Sequence, residues 1–346
     1  MNLKDKNIII TGGAGFIGSK LAKELIQKGV KITIFDNFIT GNMNNLKEIQ
    51  GDINLIKGDI KNYDAVRKSL EGQDIVVHEA FPYAKVSQSI EHQYIEDSYI
   101  GTFNILKASL YENIEKVIYG SSVAVYGQQQ YLPLDENHPI TPNYPYGVSK
   151  YACEKLCASF SKSYNLNTVS LRYFNVYGPF YTNLSHSAVL TFMKCVLNNE
   201  PPIIYGDGNQ TRDYTYIDDI VTGTVLAIVK KTKPGDVFNL GSGQSVRIID
   251  LAQKIIDVSG KNLKPKYATE KEYRHFDKTL PWGITKKIGD KYIDTRNFVA
   301  DISKTSKLLG YAPKVSLDEG LGITLKWVNK MYFDDKGLEY ANDPCI

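Results

Sequence analysis

The sequence predicts an α/β protein: a doubly wound parallel sheet carrying a smaller mixed α/β lobe. Three observations predict it: short apolar runs without polar alternation, helical patterns between them, and a glycine-rich turn closing the first run. Strands covered on both faces read as unbroken apolar runs, and right-handed crossovers wind such strands into a doubly covered sheet. Asn7-Ile8-Ile9-Ile10-Thr11 is the first strand, followed by glycines and an amphipathic run from Phe16 to Gln27. Lys31–Phe35 and Ile53–Ile56 are the second and third strands, and Ile75–His78 and Lys116–Tyr119 continue the series. Ligands of such a sheet sit beyond the carboxyl ends of its strands.

The rhythm breaks at about Asn175. Pro179, Pro201-Pro202 and the turn Gly206-Asp207-Gly208-Asn209 punctuate shorter elements, and a stretch around 261–297 is rich in Lys, Tyr and Thr without clear periodicity. The expected division is a first domain over 1–175, with segments returning to it at about 213–243 and 295–312. A substrate-binding lobe is expected over 176–346, mainly about 176–212, 244–294 and 313–333.

Of 346 residues 42% are hydrophobic and 23% charged, which argues against a disordered or fibrous chain. Lysine plus arginine (41) exceed aspartate plus glutamate (38) by +3, too small a surplus for a nucleic-acid footprint. No run approaches the ~20 apolar residues of a membrane span. The polar Thr11-Gly12-Gly13 comes before any signal-peptide core could form. Cys153, Cys157, Cys195 and Cys345 lack C-x-x-C spacing and the density of a disulfide scaffold. His78, His92, His138, His186 and His275 show no ligand spacing, and His78 reads as a packed wall residue at a strand end. A reduced, cytoplasmic protein is expected, without nucleic acid, membrane or metal.

Thr11-Gly12-Gly13-Ala14-Gly15-Phe16-Ile17-Gly18 lies between the first strand and the first helix. Gly12, Gly15 and Gly18 stand three apart. Such glycines permit the tight turn, let backbone N–H groups approach a pyrophosphate, and let helix pack on strand. Alone, a turn of this kind is weak evidence. Asp36, at the end of the second strand and 18 residues after Gly18, adds to it: a carboxylate here can accept both ribose hydroxyls of an adenosine. The same charge repels a 2′-phosphate, which favours NAD over NADP. Asp59-Ile60 follows the third strand, where an adenine edge could be met, although Asp59 reads equally well as a helix N-cap.

Tyr146-Gly147-Val148-Ser149-Lys150 leads into a helical pattern, so Tyr146 and Lys150 share one face. A phenol of pKa ~10 is a poor base at neutral pH. An ammonium and a nicotinamide cation nearby both favour the phenolate, and a serine hydroxyl at the end of the fifth strand can bond the same substrate oxygen. A lone Tyr-x-x-x-Lys is common by chance in a chain with 24 tyrosines; its context carries the weight. Thr11–Gly18, Asp36-Asn37-Phe38-Ile39-Thr40-Gly41-Asn42, Gly58-Asp59-Ile60, Ser121–Gly127 and Tyr146–Lys150 follow one another in order. The combination resembles the extended short-chain dehydrogenase/reductase family, and within it the NAD-dependent nucleotide-sugar epimerases and dehydratases. The likeness runs from Asn7 to about Trp327.

That resemblance implies a Rossmann domain with a substrate lobe, and Ser122, Tyr146 and Lys150 as the catalytic set. Tyr146 is then the base, Ser122 its hydroxyl partner, and Lys150 the ribose ligand that also depresses the tyrosine pKa. NAD would be held by Gly12, Gly15, Phe16, Ile17, Gly18, Asp36, Asn37, Asp59 and Ile60 together with Tyr146 and Lys150. A nucleotide-diphosphate sugar, UDP-hexose before others, would meet Lys85, Ser87, Ser122, Tyr146, Asn175, Arg212, Lys291, Asp294 and Phe298. Asn175 lies in Leu171–Pro179 and Arg212 in Tyr205–Tyr214, both similar to family segments. Arg212 suits phosphate oxygens, and pairing with Asp213 or Asp218 is its structural alternative. The family's second phosphate-binding arginine is replaced by Lys291, with Arg296 close by, and either can take the role. Phe298 falls where epimerases vary a pocket residue, and a ring there favours sugars without an N-acetyl group.

After Ser122 comes Val123-Ala124, without the Asp-Glu pair of the dehydratases or the Glu of the decarboxylases. The expected reaction is therefore 4-epimerisation through a transient 4-keto sugar. The alternative is a C4 dehydrogenase or 4-keto reductase with net redox change. Glu79-Ala80-Phe81-Pro82-Tyr83-Ala84-Lys85-Val86-Ser87 departs from the family's small-residue pattern, and Ser98 stands where asparagine is usual. Helical patterns at roughly Tyr94–Tyr111 and Tyr144–Tyr164 resemble the pair that forms a homodimer interface in the family.

Overall fold

The computed structural model describes residues 1–81, 98–180, 187–269, 285–288, 291–294 and 297–334. Its centre is a seven-stranded parallel sheet. The strands are β1 (Asn7–Thr11), β2 (Lys31–Asp36), β3 (Ile53–Lys57), β4 (Ile75–His78), β5 (Lys116–Ser122), β6 (Thr168–Tyr173) and, after four short strands, β11 (Asp236–Leu240). Their order is β3-β2-β1-β4-β5-β6-β11. The chain builds outward from β1 to β3, then crosses back to lay β4 on the other side of β1. That reversal opens a crevice above the carboxyl ends of β1 and β4, where Thr11 pairs with His78.

The apolar runs became strands as expected, with three differences at their ends. β2 continues to Asp36, β3 to Lys57 and β5 to Ser122, because neighbours go on pairing there: Asp36 with Lys57, Ser121 with Arg172, Ser122 with Tyr173. β3 is partly exposed along its length, since it lies at the sheet edge and packs on one side only.

Helices cover both faces. α1 (Phe16–Gln27) packs on α6 (Ile217–Val229) on one side, and α2 (Tyr63–Leu70), α3 (Gly101–Tyr111) and α4 (Pro145–Tyr164) line up on the other. Ile8, Ile10, Leu21, Leu25 and Val77 fill the first interface, and Ile9, Phe35, Val76, Ile105 and Val117 the second. Alternate residues of one strand thus enter opposite layers, which is what an unbroken apolar run encodes. Truncating one of these fully buried side chains to alanine costs about 2–5 kcal/mol.

The remaining segments are short. β7 (Asn175–Tyr177) pairs with β10 (Tyr214–Tyr216), β8 (Ile203–Ile204) with β13 (Lys266–Tyr267), β9 (Thr211–Arg212) with β12 (Val246–Arg247), and β14 (Thr285–Ile288) with β15 (Lys291–Asp294). α5 (Ala188–Leu197), α7 (Ile248–Ser259) and α9 (Leu317–Asp334) pack on one another, and α8 (Ser303–Leu309) lies against β11. Among the described residues no helix is long and apolar enough to cross a membrane.

Candidate active site

β1 and β4 meet backbone to backbone at the crevice. Gly12 has φ +69°, a region glycine enters freely, and a Cβ there would lie 2.6 Å from the Ala80 nitrogen. Gly18, inside α1, is pressed onto the same turn, where a Cβ would fall 2.7 Å from Gly13 Cα. Gly15 is the N-cap of α1, and Phe16 and Ile17 are its first residues; no side chain caps this end. The positive end of the helix dipole therefore faces the crevice without a capping side chain, which suits an anion.

The Asp36 carboxylate is buried and accepts Ala14 N at 3.0 Å and Phe38 N at 2.8 Å. Burial pushes its pKa up, and these backbone bonds pull against that. A carboxylate has about four acceptor sites, so capacity for a ribose hydroxyl remains beyond these backbone donors. Asn37 uses its side chain on Ile39 N at 3.0 Å. Asp59 accepts Lys61 N at 2.8 Å, and the helix N-cap is Asn62, which takes Ala65 N at 3.1 Å. Ile60 is buried beneath Gly101, and Asn104 fixes its carbonyl at 3.0 Å. A glycine cradle, an uncapped helix end and a carboxylate with free lone pairs fit a dinucleotide.

β5 ends in Ser122, whose Oγ accepts Ala124 N at 3.2 Å and caps the single turn Val123–Tyr126. α4 starts with Pro145, whose fixed φ suits a first helical position. Its Gly147 lies so close to the turn that a Cβ would fall 2.5 Å from Ala124 O. That contact sets half-buried Tyr146 beside the Ser122 turn. The Tyr146 ring meets Phe81 edge-on at 5.1 Å. One turn on, buried Lys150 donates to Gly120 O at 2.7 Å. Its Nζ is 6.0 Å from the Tyr146 ring centroid and 4.0 Å from that of Phe81. Burial pulls the Lys150 pKa down to about 8, with Glu79 opposing the fall.

Two supports were not singled out in the sequence. Glu154, one further turn along α4, accepts Ser121 Oγ at 2.5 Å and both Nε and Nη2 of Arg172, so α4, β5 and β6 are locked together beneath Lys150. Its position four residues after Lys150, on the same helical face, was the available clue. Glu79 accepts Tyr173 Oη at 2.7 Å, and burial raises its pKa to about 7. His78 is buried between Thr11 Oγ1 (2.7 Å) and Thr102 Oγ1 (3.0 Å). Burial, and then Lys150, push its pKa to about 3, so it remains a neutral wall residue.

Asn175 begins β7, and its Oδ1 is buried without a hydrogen-bond partner, which suits a residue awaiting a ligand. Arg212 is buried on β9, with its guanidinium 5.2 Å from the centroid of Phe298. Phe298 is itself only 4% exposed, packed with Val123, Tyr126 and Phe174, so it supports the arginine beside the Ser122 turn. Asp213 receives five donors, from Thr215, Ser242 (twice), Gly243 and Ala300. Asp218 pairs with Lys20 at 2.9 Å. Neither carboxylate is committed to Arg212. The backbones of Lys291 and Asp294 pair with Ile288 and Thr285 in the β14–β15 hairpin. Lys85, Ser87 and Arg296 lie outside the described residues. Ser98 is buried, its carbonyl 3.4 Å from Cys153 Sγ. Cys153, Cys157 and Cys195 are buried, and among the described residues they form no disulfide.

A doubly wound sheet with a glycine-rich turn at its switch point and Ser122, Tyr146 and Lys150 gathered at the end of β5 defines a dinucleotide-dependent enzyme of the short-chain dehydrogenase/reductase class. Residues 8–241 match the NAD dependent epimerase/dehydratase family, and the chain belongs to it. It is 31% identical over 336 residues to a UDP-glucuronate 4-epimerase of Thermodesulfobacterium geofontis, covering 92% of this chain and 95% of the relative. Among solved structures, a UDP-N-acetylglucosamine 4-epimerase of Methanobrevibacter ruminantium, in complex with UDP-N-acetylmuramic acid, superposes with TM-score 0.81 at 34% identity. That match covers 94% of this chain and 98% of the other. A UDP-glucuronic acid 4-epimerase of Bacillus cereus, in complex with UDP-glucuronic acid and NAD, gives 0.80 at 32% identity, covering 94% and 100%. NAD is the cofactor of the family.

Proposed function

We propose that the chain is an NAD-dependent 4-epimerase of nucleotide-diphosphate sugars, with a UDP-hexose as substrate. The observation that carries the reading is the placement of Tyr146 and Lys150 on one face of α4 against the Ser122 turn, with apolar Val123 and Ala124 after the serine. Tyr146 Oη takes the proton of the C4 hydroxyl, Ser122 Oγ bonds the same oxygen, and Lys150 holds the ribose while its charge favours the phenolate. NAD, held by the Gly12–Gly18 turn, Asp36 and Lys150, would supply the redox chemistry at C4. Asn175 and Arg212 hold the diphosphate, with Lys291 or Arg296 as the second phosphate contact, and Asp294 belongs to the same substrate set. Phe298 acts through Arg212. Val123 and Ala124 offer no second proton carrier beside Ser122 for eliminating water, which favours turning the 4-keto sugar over and reducing it.

The assay incubates purified protein and NAD with UDP-glucose, UDP-glucuronic acid or UDP-N-acetylglucosamine, and follows the product by NMR and NADH by absorbance. A C4 epimer without net NADH is expected. Stoichiometric NADH would instead establish a dehydrogenase.

The reading extends to assembly and domain layout. Tyr99, Ile100 and Phe103 around the start of α3, and Val148 and Tyr164 on α4, are exposed. Apolar surface on two neighbouring helices supports a homodimer through α3 and α4, testable by light scattering. A domain boundary near residue 175, with segments returning later in the chain, agrees with β11 pairing on β6.

A further inference from the structure

We propose that Glu79 is a positioning residue for the tyrosine–lysine pair, its carboxylate acting on Lys150 from across Gly120 as the counter-charge that keeps the side chain an ammonium. The inference rests on the proposed role of Lys150 as the ribose ligand.

Three observations carry it. First, the two groups meet at one residue: Lys150 donates to Gly120 O at 2.7 Å, while the Glu79 carboxyl occupies the space a side chain at 120 would need. A Cβ built there would lie 2.9 Å from Glu79 Cδ and closer still to its Oε2. Glycine at 120 is what lets the carboxyl approach. Second, the carboxyl is fixed. Tyr173 Oη donates to Oε1 at 2.7 Å and lies 3.1 Å from Thr224 Oγ1, which donates to Ile220 O at 2.8 Å, so β6 and α6 hold Glu79 in place. Third, Glu79 directly follows β4 beside the Gly12 turn, where a Cβ on Gly12 would lie 2.8 Å from the Glu79 carbonyl carbon.

The charge balance around Lys150 gives the direction. Facing it are Glu79 and His78 from the end of β4, Tyr119 from β5, and Tyr146, Cys153 and Glu154 from its own helix. His78 is neutral, and burial raises Cys153 and Tyr119 above their ordinary values. Glu154 is engaged by Arg172 and Ser121. Among the described residues Glu79 is left as the carboxylate without a cationic partner within 4 Å, and it contributes most among the groups that hold the Lys150 pKa up. Above about pH 7 Glu79 is ionised, which is the range in which Lys150 begins to lose its proton.

The test measures NADH affinity by fluorescence from neutral to alkaline pH, in the wild type, Glu79→Gln, Glu79→Asp and Lys150→Met. The wild type should lose affinity as Lys150 deprotonates, and Lys150→Met should abolish that limb. Glu79→Gln should move the limb about one pH unit lower, the size expected for losing an opposite charge nearby. Glu79→Asp should bring it back toward the wild type. A merely structural role would change affinity at every pH and leave the limb where it was, and that result overturns the proposal, as does a limb that survives Lys150→Met. Should Glu79→Gln not fold, Tyr173→Phe, which frees the carboxyl without removing it, should give a smaller shift in the same direction, and an unmoved limb there overturns the proposal equally. Binding is read without sugar turnover, so failure here is separate from failure of the epimerase assay.

Discussion

Glu154 holds Arg172 with both oxygens, Nε at 3.0 Å and Nη2 at 2.8 Å, and both side chains are buried. The pair joins the helix that carries Tyr146 and Lys150 to β6, while Ser121 brings in β5. A bidentate ion pair of this kind fixes orientation as well as distance. Its rigidity is what lets a phenol and an ammonium one helical turn apart keep their places above the sheet.

Breaking this pair by Arg172→Met leaves the Glu154 charge buried and alone. We expect a loss of about 3–5 kcal/mol, the usual cost of orphaning one partner of a buried pair, read from the urea midpoint. A variant that unfolds at the wild-type midpoint would show that the lock contributes little.

Tyr146→Phe removes the proposed proton acceptor and keeps the ring against Phe81. The expected result is a fall in kcat of at least about 100-fold with NAD binding preserved, measured by epimer formation and by calorimetry. Wild-type turnover would remove Tyr146 from the chemistry.

Gly12→Ala forces a left-handed conformation on an L side chain and drives its Cβ to 2.6 Å from the Ala80 nitrogen, with backbone on both sides. The strand ends must separate. NAD affinity should drop at least about tenfold, with a lower unfolding temperature, and an unchanged Kd would mean that the turn is not the diphosphate site.

His78 and Glu79 are neighbours with opposite linkage. His78 is held at about 3 against an ordinary 6.5, so the unfolded chain takes a proton that the folded one refuses, and stability falls as pH drops from about 6.5 toward about 3. Its full slope is roughly 1.4 kcal/mol per pH unit. Glu79 is raised to about 7 from 4.5, so the folded chain binds the extra proton and gains stability as pH falls through that interval. The two offset each other between about 4.5 and 6.5. Relative to the wild type, Glu79→Gln should lose stability across that interval, and His78→Asn should gain it. Parallel curves of urea midpoint against pH would contradict both assignments.

Much of this was legible in the residues themselves. Asn7–Thr11, Lys31–Asp36 and Ile75–His78 are apolar runs ended by a glycine turn or a polar residue, so strand, turn and helix follow from local pattern. Tyr146 and Lys150 were legible because helical spacing puts them on one face. The lobe was not: β8, β9, β12 and β13 are two residues each, too short for any period, and their pairing is set by distant segments. The Glu154–Arg172 lock and the Glu79–Tyr173 bond were hidden for the same reason, since each joins residues brought near only by the sheet. Asp59 was ambiguous until Asn62 took the cap.

Arg212 sits between two heavily hydrogen-bonded neighbours. Thr211 before it is bonded to Asn297 through both backbone and hydroxyl and receives Phe298 N at 3.1 Å, and Asp213 after it gathers Ser242, Gly243 and Ala300. A bound molecule gripped by this arginine would have one stationary end, leaving torsion about the bonds between phosphorus and carbohydrate as its principal freedom. Inversion at C4 requires that asymmetry: a ring able to swing through half a turn while the group that tethers it stays still.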